Sequence, residues 1–169
     1  MNRRDRPKLY LAGPDVFLPD AEAVGRRKRA LCEAFGFEGW YPLDNEIESQ
    51  GVPADTAMAI YRGNSAMMRV ADAIVANLTP FRGPSADVGT AFELGFMAAL
   101  GKPCFAYSND GRPFLARARE TPGLAPAAGG GWTDADGLRA EDFGLAENLM
   151  LDCALRDAGF PVVVQHCDG

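Results

Sequence analysis

Short apolar runs alternate with longer segments of helical spacing along most of the chain. The apolar runs predict β-strands, because turn residues such as Gly, Pro and Asn follow most of them. These predicted strands lie at residues 8–12, 38–41, 71–78, 102–107 and 161–164. The segments with an apolar face at helical spacing predict helices at residues 20–35, 53–70, 87–100 and 140–158.

The alternation of strands and helices predicts an α/β fold with a parallel sheet covered on both faces. The run ADAIVANL at residues 71–78 is apolar almost throughout, which is typical of a central parallel strand. Right-handed crossovers then favour a flavodoxin-like, doubly wound five-stranded parallel sheet. Ligands of such sheets bind at the carboxyl ends of the strands, so residues 13–17, residues 79–87 and the start of the next helix are expected to surround one crevice.

Residues 108–140 are rich in Gly, Pro and Ala and include a run of glycines at 129–131. This composition predicts a long loop within a single domain that spans residues 1–169. Structureless loops of this length are uncommon in compact domains and often act as lids or mobile segments.

The net charge of −6 and the isoelectric point near 4.8 disfavour nucleic acids and anionic membranes as partners. No window approaches the roughly 20 apolar residues of a membrane span. The start of the chain lacks the apolar stretch of a signal peptide. The cysteines show no CxxC spacing, so free thiols in a cytoplasmic protein are expected.

Carboxylates are the expected catalytic groups, because His166 is the only histidine and a Ser-His-Asp triad or a His-based metal site is disfavoured. The segment at residues 88–100, VGTAFELGFMAAL, is apolar nearly all round, so this helix is expected to be buried. Its Thr90 and Glu93 share one face, and the segment contains no Lys or Arg. Burying an unpaired carboxylate costs several kcal/mol, so Glu93 is expected to be hydrogen-bonded, protonated or in a cleft.

Two interpretations of Glu93 remain open at this point. It is either a core or interface residue satisfied by a tyrosine or by backbone, or a perturbed acid in a cleft. Asp87 occupies a favoured N-cap position, and it also places a second carboxylate at the mouth of the helix. Gly89 and Gly95 remove side-chain bulk, which allows a ligand or a neighbouring strand to approach. Two carboxylates are the usual equipment for glycosyl chemistry, with one of them acting as nucleophile or base.

The first predicted strand ends in GPDVF, residues 13–17, which matches neither common glycine-rich phosphate-binding pattern and contains no basic residue. This tip disfavours a dinucleotide or a nucleoside triphosphate and favours an uncharged ligand stacked on an aromatic ring such as Phe17. Core packing of Phe17 is the alternative. The basic run RRKR at residues 26–29 is interpreted as a solvated helix surface.

Several motifs together resemble, in order and spacing, the nucleoside 2-deoxyribosyltransferase family over about residues 8–150. These motifs are YLAGPDVF at 10–17, YPLDN at 41–45, ADAIVANL at 71–78, DVGTAFELG at 87–95 and EN at 147–148. The DxGxxxELG pattern is the most specific of them. The resemblance implies a cofactor-independent enzyme of nucleotide salvage that exchanges purine and pyrimidine bases of 2′-deoxynucleosides and uses free nucleobases as acceptors.

The resemblance also implies roles for individual residues. Glu93 aligns with a nucleophile that forms a covalent 2-deoxyribosyl ester at C1′ and expels the base, and Tyr10 aligns with the tyrosine that orients it. Asp87 aligns with the aspartate that holds a sugar hydroxyl. Asn148 aligns with an asparagine that reaches into a neighbouring subunit's site, which implies a homo-oligomer. The other expected substrate contacts are Gly13, Phe17, Glu46, Asn64 and Gly89, of which Gly13, Phe17 and Glu46 fall where the family contacts the base.

Asn64 departs from the family pattern, because several members have an aspartate there that protonates the leaving base. An amide hydrogen-bonds a base but cannot act as an acid. Either Asn64 only recognises the base while water or another carboxylate supplies the proton, or the base preference differs. Two other functions stay open: hydrolysis of 2′-deoxynucleoside 5′-monophosphates, which would need phosphate donors at the first strand tip, and non-catalytic sensing of nucleosides or nucleotides.

Overall fold

The computed structural model describes residues 6–45 and 51–165. In chain order, the described strands are β1 (Lys8–Ala12), β2 (Glu38–Trp40), β3 (Ala73–Asn77), β4 (Cys104–Ser108), β5 (Ala125–Pro126), β6 (Trp132–Thr133) and β7 (Val163–Val164). The described α-helices are α1 (Ala21–Ala34), α2 (Pro53–Val70), α3 (Val88–Ala99), α4 (Phe114–Ala118) and α5 (Leu149–Asp157). Short 3₁₀ helices at Pro14–Phe17 and Pro42–Asp44 follow β1 and β2.

The main sheet is parallel, with the strand order β2-β1-β3-β4-β7. This order confirms the predicted flavodoxin-like, doubly wound five-stranded sheet. Strand β2 pairs with one edge of β1, whereas β3 pairs with the other edge and is followed outwards by β4 and β7. The strand order therefore reverses between β1 and β3, which is the switch point of the sheet. The carboxyl ends of these two strands are therefore where a ligand is expected to bind.

Helices cover both faces of the sheet. On one face, α2, α3 and α5 contribute Met68, Met97 and Leu155 to a core that also contains Tyr10 and Ile74. On the opposite face, α1 lies over the strand side chains that point away from this core. Leu31 and Cys32 of α1 line the same pocket as the strand residues Leu9, Leu11 and Val75. Because β3 is buried from both sides, its apolar sequence agrees with the prediction of a central strand.

One face of α3 is exposed, so the prediction that this helix is buried all round is wrong for the isolated chain. Thr90, Leu94 and Met97 are buried, but Val88 is 84% exposed and Phe92 is 53% exposed. Phe92 contacts Phe96 of α3 and Tyr61 of α2, with ring centroids 6.0 and 6.3 Å apart. We call Tyr61, Val88, Phe92 and Phe96 the α2–α3 patch.

Residues 108–140 are not structureless, which corrects the predicted long loop. They contain α4 and the antiparallel pair β5–β6. The glycine run forms the turn between these two strands, because Gly130 and Gly131 adopt φ values of +87° and +78°, which residues with a Cβ rarely adopt. The guanidinium of Arg119 lies 4.2 Å from the centre of the Trp132 ring and joins the segment after α4 to β6.

The last helix is shorter than the predicted range of 140–158. It begins at Leu149, because Gly144 has a left-handed φ of +66° and Asn148 caps the helix by accepting a hydrogen bond from the Met150 amide. The residues before it are held by Glu147, which is buried and forms an ion pair of 3.0 Å with the equally buried Arg117. This pair joins the approach to α5 to α4.

Candidate active site

A cleft of about 440 Å³ opens at the carboxyl ends of β1 and β3, where the sequence predicted a crevice. Its lining residues come from the segments after β1 and β2, from α2, and from the N-cap and first turns of α3: Gly13, Val16, Phe17, Pro42, Leu43, Asn45, Ile60, Asn64, Asp87, Gly89, Thr90 and Glu93. A larger groove of about 810 Å³ runs along β2, but it does not contain Glu93, and its Arg6 and Arg29 are ion-paired. The chemistry-bearing side chains therefore converge on the smaller cleft.

Glu93 lines this cleft, and its partner Tyr10 lies next to it in the core. Tyr10 is fully buried in β1, and its Oη donates a hydrogen bond of 2.6 Å to Glu93 Oε1 on α3. Burial raises the pKa of Glu93 to about 7; the hydrogen bond from Tyr10 lowers this pKa in part, and the negative charge of Asp87 adds a smaller rise. Of the two interpretations, Glu93 is thus a perturbed acid that lines a cleft, and its hydrogen-bonding partner is a tyrosine of the core.

Asp87 has both of the properties expected of it. Its Oδ2 caps α3 by accepting hydrogen bonds from the Thr90 amide at 2.9 Å and the Thr90 hydroxyl at 3.1 Å. Its side chain also lines the cleft, so Oδ1 remains available to a ligand. Gly89 is required by the cap, since a Cβ there would lie 3.0 Å from Asp87 Oδ2. Gly95 is exposed and faces open space, so it has no such role in the isolated chain.

Phe17 forms one wall of the cleft and is 56% exposed, which rules out core packing. Its ring stacks on Phe81 with centroids 5.1 Å apart and an interplanar angle of 16°. The guanidinium of Arg82 lies over both rings, 4.7 Å from the centre of Phe81 and 5.4 Å from that of Phe17. The loops that follow β1 and β3 therefore build this wall together.

A partly buried ion pair fixes the tip of β1. Lys28 Nζ lies 2.5 Å from Asp15 Oδ2, and the Asn77 amide donates to the same oxygen at 3.1 Å. Gly13 leaves the space that this contact needs, because a Cβ there would meet Asp15 Oδ2 at 2.5 Å and the Asn77 Cβ at 2.8 Å. The basic run is therefore a solvated surface at Arg26 and Arg27, whose side chains are 64% and 66% exposed, but the interpretation is wrong for Lys28.

Asn64 lines the side of the cleft formed by α2, and a neighbouring amide fixes its orientation. Asn45 Nδ2 donates a hydrogen bond of 2.9 Å to Asn64 Oδ1, and both residues line the cleft. The sequence did not single out Asn45, which follows the 3₁₀ helix after β2. Glu46, predicted to contact the base, lies outside the described residues.

Asn148 does not line the cleft of its own chain. Its Oδ1 caps α5, and its Nδ2 donates to Glu141 at 2.7 Å. The predicted role in a neighbouring subunit's site is therefore not tested by a single chain.

The described residues contain no cluster of His, Cys, Asp or Glu able to hold a metal ion. In the same part of the chain, no helix is both long enough and apolar enough to cross a bilayer. Cys32, Cys104 and Cys153 are free thiols.

A flavodoxin-like sheet with a tyrosine-bound glutamate in a cleft at its switch point defines an α/β protein equipped for chemistry at a glycosidic bond. The model of the nucleoside 2-deoxyribosyltransferase family matches residues 9–150. The chain therefore belongs to the nucleoside 2-deoxyribosyltransferase family and is an enzyme of that family. It is also 33% identical over 171 residues to an uncharacterized protein of Schizosaccharomyces pombe, with 94% of this chain and 81% of that protein covered.

Solved structures agree with this assignment. A 2-desoxiribosyltransferase from Leishmania mexicana is 40% identical, with a TM-score of 0.67 and with 86% of this chain and 85% of that chain covered. A 2-deoxyribosyltransferase from Bacillus psychrosaccharolyticus is 24% identical, with a TM-score of 0.53 and coverage of 62% and 74%. A conserved protein from Enterococcus faecalis V583 is 21% identical, with a TM-score of 0.58 and coverage of 96% and 92%. The last two share the fold.

Proposed function

We propose that this enzyme exchanges the nucleobase of 2′-deoxyribonucleosides through a covalent 2-deoxyribosyl ester on Glu93, as a step of nucleotide salvage. The observation that carries the proposal is the 2.6 Å hydrogen bond from Tyr10 to Glu93, because Glu93 lines a cleft large enough for a nucleoside. Tyr10 holds Oε1, so Oε2 is the oxygen left to approach C1′. The 40% identity to the Leishmania mexicana 2-desoxiribosyltransferase supports the same reaction class.

The reaction has two half-reactions. The Glu93 carboxylate forms a bond to C1′ while the C1′–N bond breaks, and the electron pair of that bond leaves with the base. A nitrogen of the incoming base then attacks C1′, the ester bond breaks, the carboxylate is released and the new base loses its proton to solvent. Tyr10 remains a hydrogen-bond donor throughout, because burial and the neighbouring Glu93 raise the pKa of its hydroxyl.

The remaining cleft residues bind the two parts of the substrate. Gly13, Phe17 and Asn64 are proposed to surround the base, and Asp87 is proposed to hold a sugar hydroxyl through its free oxygen. A Cβ at position 89 would lie 3.0 Å from Asp87 Oδ2, so Gly89 keeps the space beside this carboxylate open for the sugar hydroxyl.

Replacing Asp87 with serine separates its two roles, because serine also caps helices. We expect the kcat/KM of Asp87→Ser for deoxynucleosides to fall about 10- to 100-fold, since a hydrogen bond to a charged group contributes about 1.5–3 kcal/mol. The free energy of unfolding should change by less than about 0.5 kcal/mol. Steady-state kinetics and urea unfolding test both expectations, with Asp134→Ser as a matched control outside the cleft. An unchanged kcat/KM would contradict the sugar-binding role.

A second copy of the chain is proposed to cover the α2–α3 patch and to supply its Asn148 to the cleft. The exposed apolar side chains of the patch support this arrangement, because Val88 and Phe92 lie on the helix that carries Glu93. We expect Asn148→Ser, which keeps the cap of α5, and Glu93→Ala each to lose most of the activity. Mixed and reassembled subunits should regain exchange, because some sites then combine an intact Glu93 with an intact Asn148. Failure of the mixture in a verified mixed oligomer would contradict the shared site.

An exchange assay tests the function directly. The enzyme is incubated with 2′-deoxyinosine alone and with added free adenine or cytosine, and the products are separated by liquid chromatography. A new deoxynucleoside that forms only with an acceptor base is the expected result. Release of base from a 5′-monophosphate without transfer would instead indicate an N-hydrolase, and binding without turnover would indicate a sensor.

A further inference from the structure

Among the described residues, the base side of the cleft contains amides where an acid would be needed to protonate a leaving base. Among the described residues that line the cleft, the titratable side chains are Asp87 and Glu93, and both belong to the α3 side. With C1′ placed next to Glu93, the base extends towards Phe17, Asn45 and Asn64. The side chains on that side neither gain nor lose a proton near neutral pH.

The hydrogen bond between the two amides determines what they offer to a base. Asn45 Nδ2 donates to Asn64 Oδ1 at 2.9 Å, so the amide oxygen of Asn64 points towards Asn45. No described residue accepts from Asn64 Nδ2, which leaves this group as a donor in the cleft. Asn45 thus orients Asn64 so that it offers an N–H to the ligand. A neutral N–H donor stabilises negative charge on a base but cannot transfer its proton to it.

We propose, building on the proposed function, that the base leaves as an anion stabilised by Asn64 and that this enzyme selects donors by the acidity of their bases. As Glu93 bonds to C1′, the C1′–N electron pair moves onto the departing nitrogen and spreads over the ring. The base takes its proton from water after it has left. Because a 6-oxopurine is a more acidic N–H compound than adenine, and adenine is more acidic than cytosine, 6-oxopurine deoxynucleosides are the preferred donors.

The test measures the rate of base release in single turnovers with 2′-deoxyinosine, 2′-deoxyadenosine and 2′-deoxycytidine. For the wild type we expect rates to fall in that order, with 2′-deoxycytidine slower than 2′-deoxyinosine by about 100-fold, the size of a missing general acid. Asn64→Asp supplies a carboxylic acid at the same position. In this variant the rates for the three donors should lie within about tenfold of one another. The 2′-deoxycytidine rate of the variant, divided by that of the wild type, should rise as the pH is lowered, because the titration of Glu93 is common to both proteins.

Two further variants make the test specific. Asn45→Ala removes the group that orients Asn64, so the rates should fall for all three donors while their order is kept. Asn109→Asp introduces the same chemical change at an exposed position outside the cleft, and it should leave the wild-type spread unchanged.

The possible failures are distinguishable. If the enzyme exchanges bases but the rates do not follow base acidity, or if Asn64→Asp keeps the wild-type spread, the selection by acidity is wrong and the proposed function stands. If no donor is exchanged with any acceptor, the proposed function is wrong and the inference falls with it.

Discussion

Replacing Glu93 with glutamine is expected to lower the rate of base exchange by at least about 10³-fold, because the amide cannot form the ester with C1′. Glutamine has nearly the same size and keeps an oxygen that accepts the hydrogen bond from Tyr10. The loss should therefore arise from the missing nucleophile and not from altered packing. Chromatographic exchange assays with 2′-deoxyinosine and adenine measure the effect.

The same variant also allows the covalent step to be observed. Wild-type enzyme incubated with a deoxynucleoside in the absence of acceptor should gain the mass of a 2-deoxyribosyl group, and Glu93→Gln should not. Glu120→Gln, an exposed position outside the cleft, is the matched control and should keep both activity and labelling. Exchange by Glu93→Gln within tenfold of the wild type would exclude Glu93 as the nucleophile.

The fold could be predicted because its signals are local. The helix predicted at residues 53–70 has the bounds Pro53–Val70, and the apolar run at 71–78 contains β3. The prediction failed where backbone geometry overrides composition. Gly144 in a left-handed conformation keeps the residues before Leu149 out of α5, and the glycines at 130 and 131 turn a presumed loop into a hairpin.

Glu93 could be identified from the sequence because an unpaired carboxylate in an apolar helix conflicts with its surroundings wherever that helix packs. Lys28 and Asn45 gave no such signal. The role of Lys28 depends on Asp15 in the turn after β1, and that of Asn45 depends on Asn64 in α2. A residue whose partner is set by tertiary packing has the same local pattern as an ordinary surface residue.

Burial of Glu93 has a cost for the stability of the enzyme. The folded protein holds the pKa of this carboxyl at about 7, against 4.5 for a free side chain. Between these two values the folded state binds a proton that the unfolded state has lost, so the contribution of Glu93 to stability falls as the pH rises through this range. Above about pH 7 the full penalty applies, and each pKa unit corresponds to about 1.4 kcal/mol.

Glu93→Gln is therefore expected to be more stable than the wild type at pH 8, by up to about 3 kcal/mol, and nearly equal to it at pH 4. Urea unfolding of both proteins between pH 4 and pH 8 measures this difference, and groups common to both, such as Asp110 with its lowered pKa, cancel in the comparison. A difference that does not grow with pH would contradict a raised pKa. Since the ionised carboxylate is the nucleophile, exchange by the wild type should rise as the pH rises through about 7, which is where the loss of stability levels off.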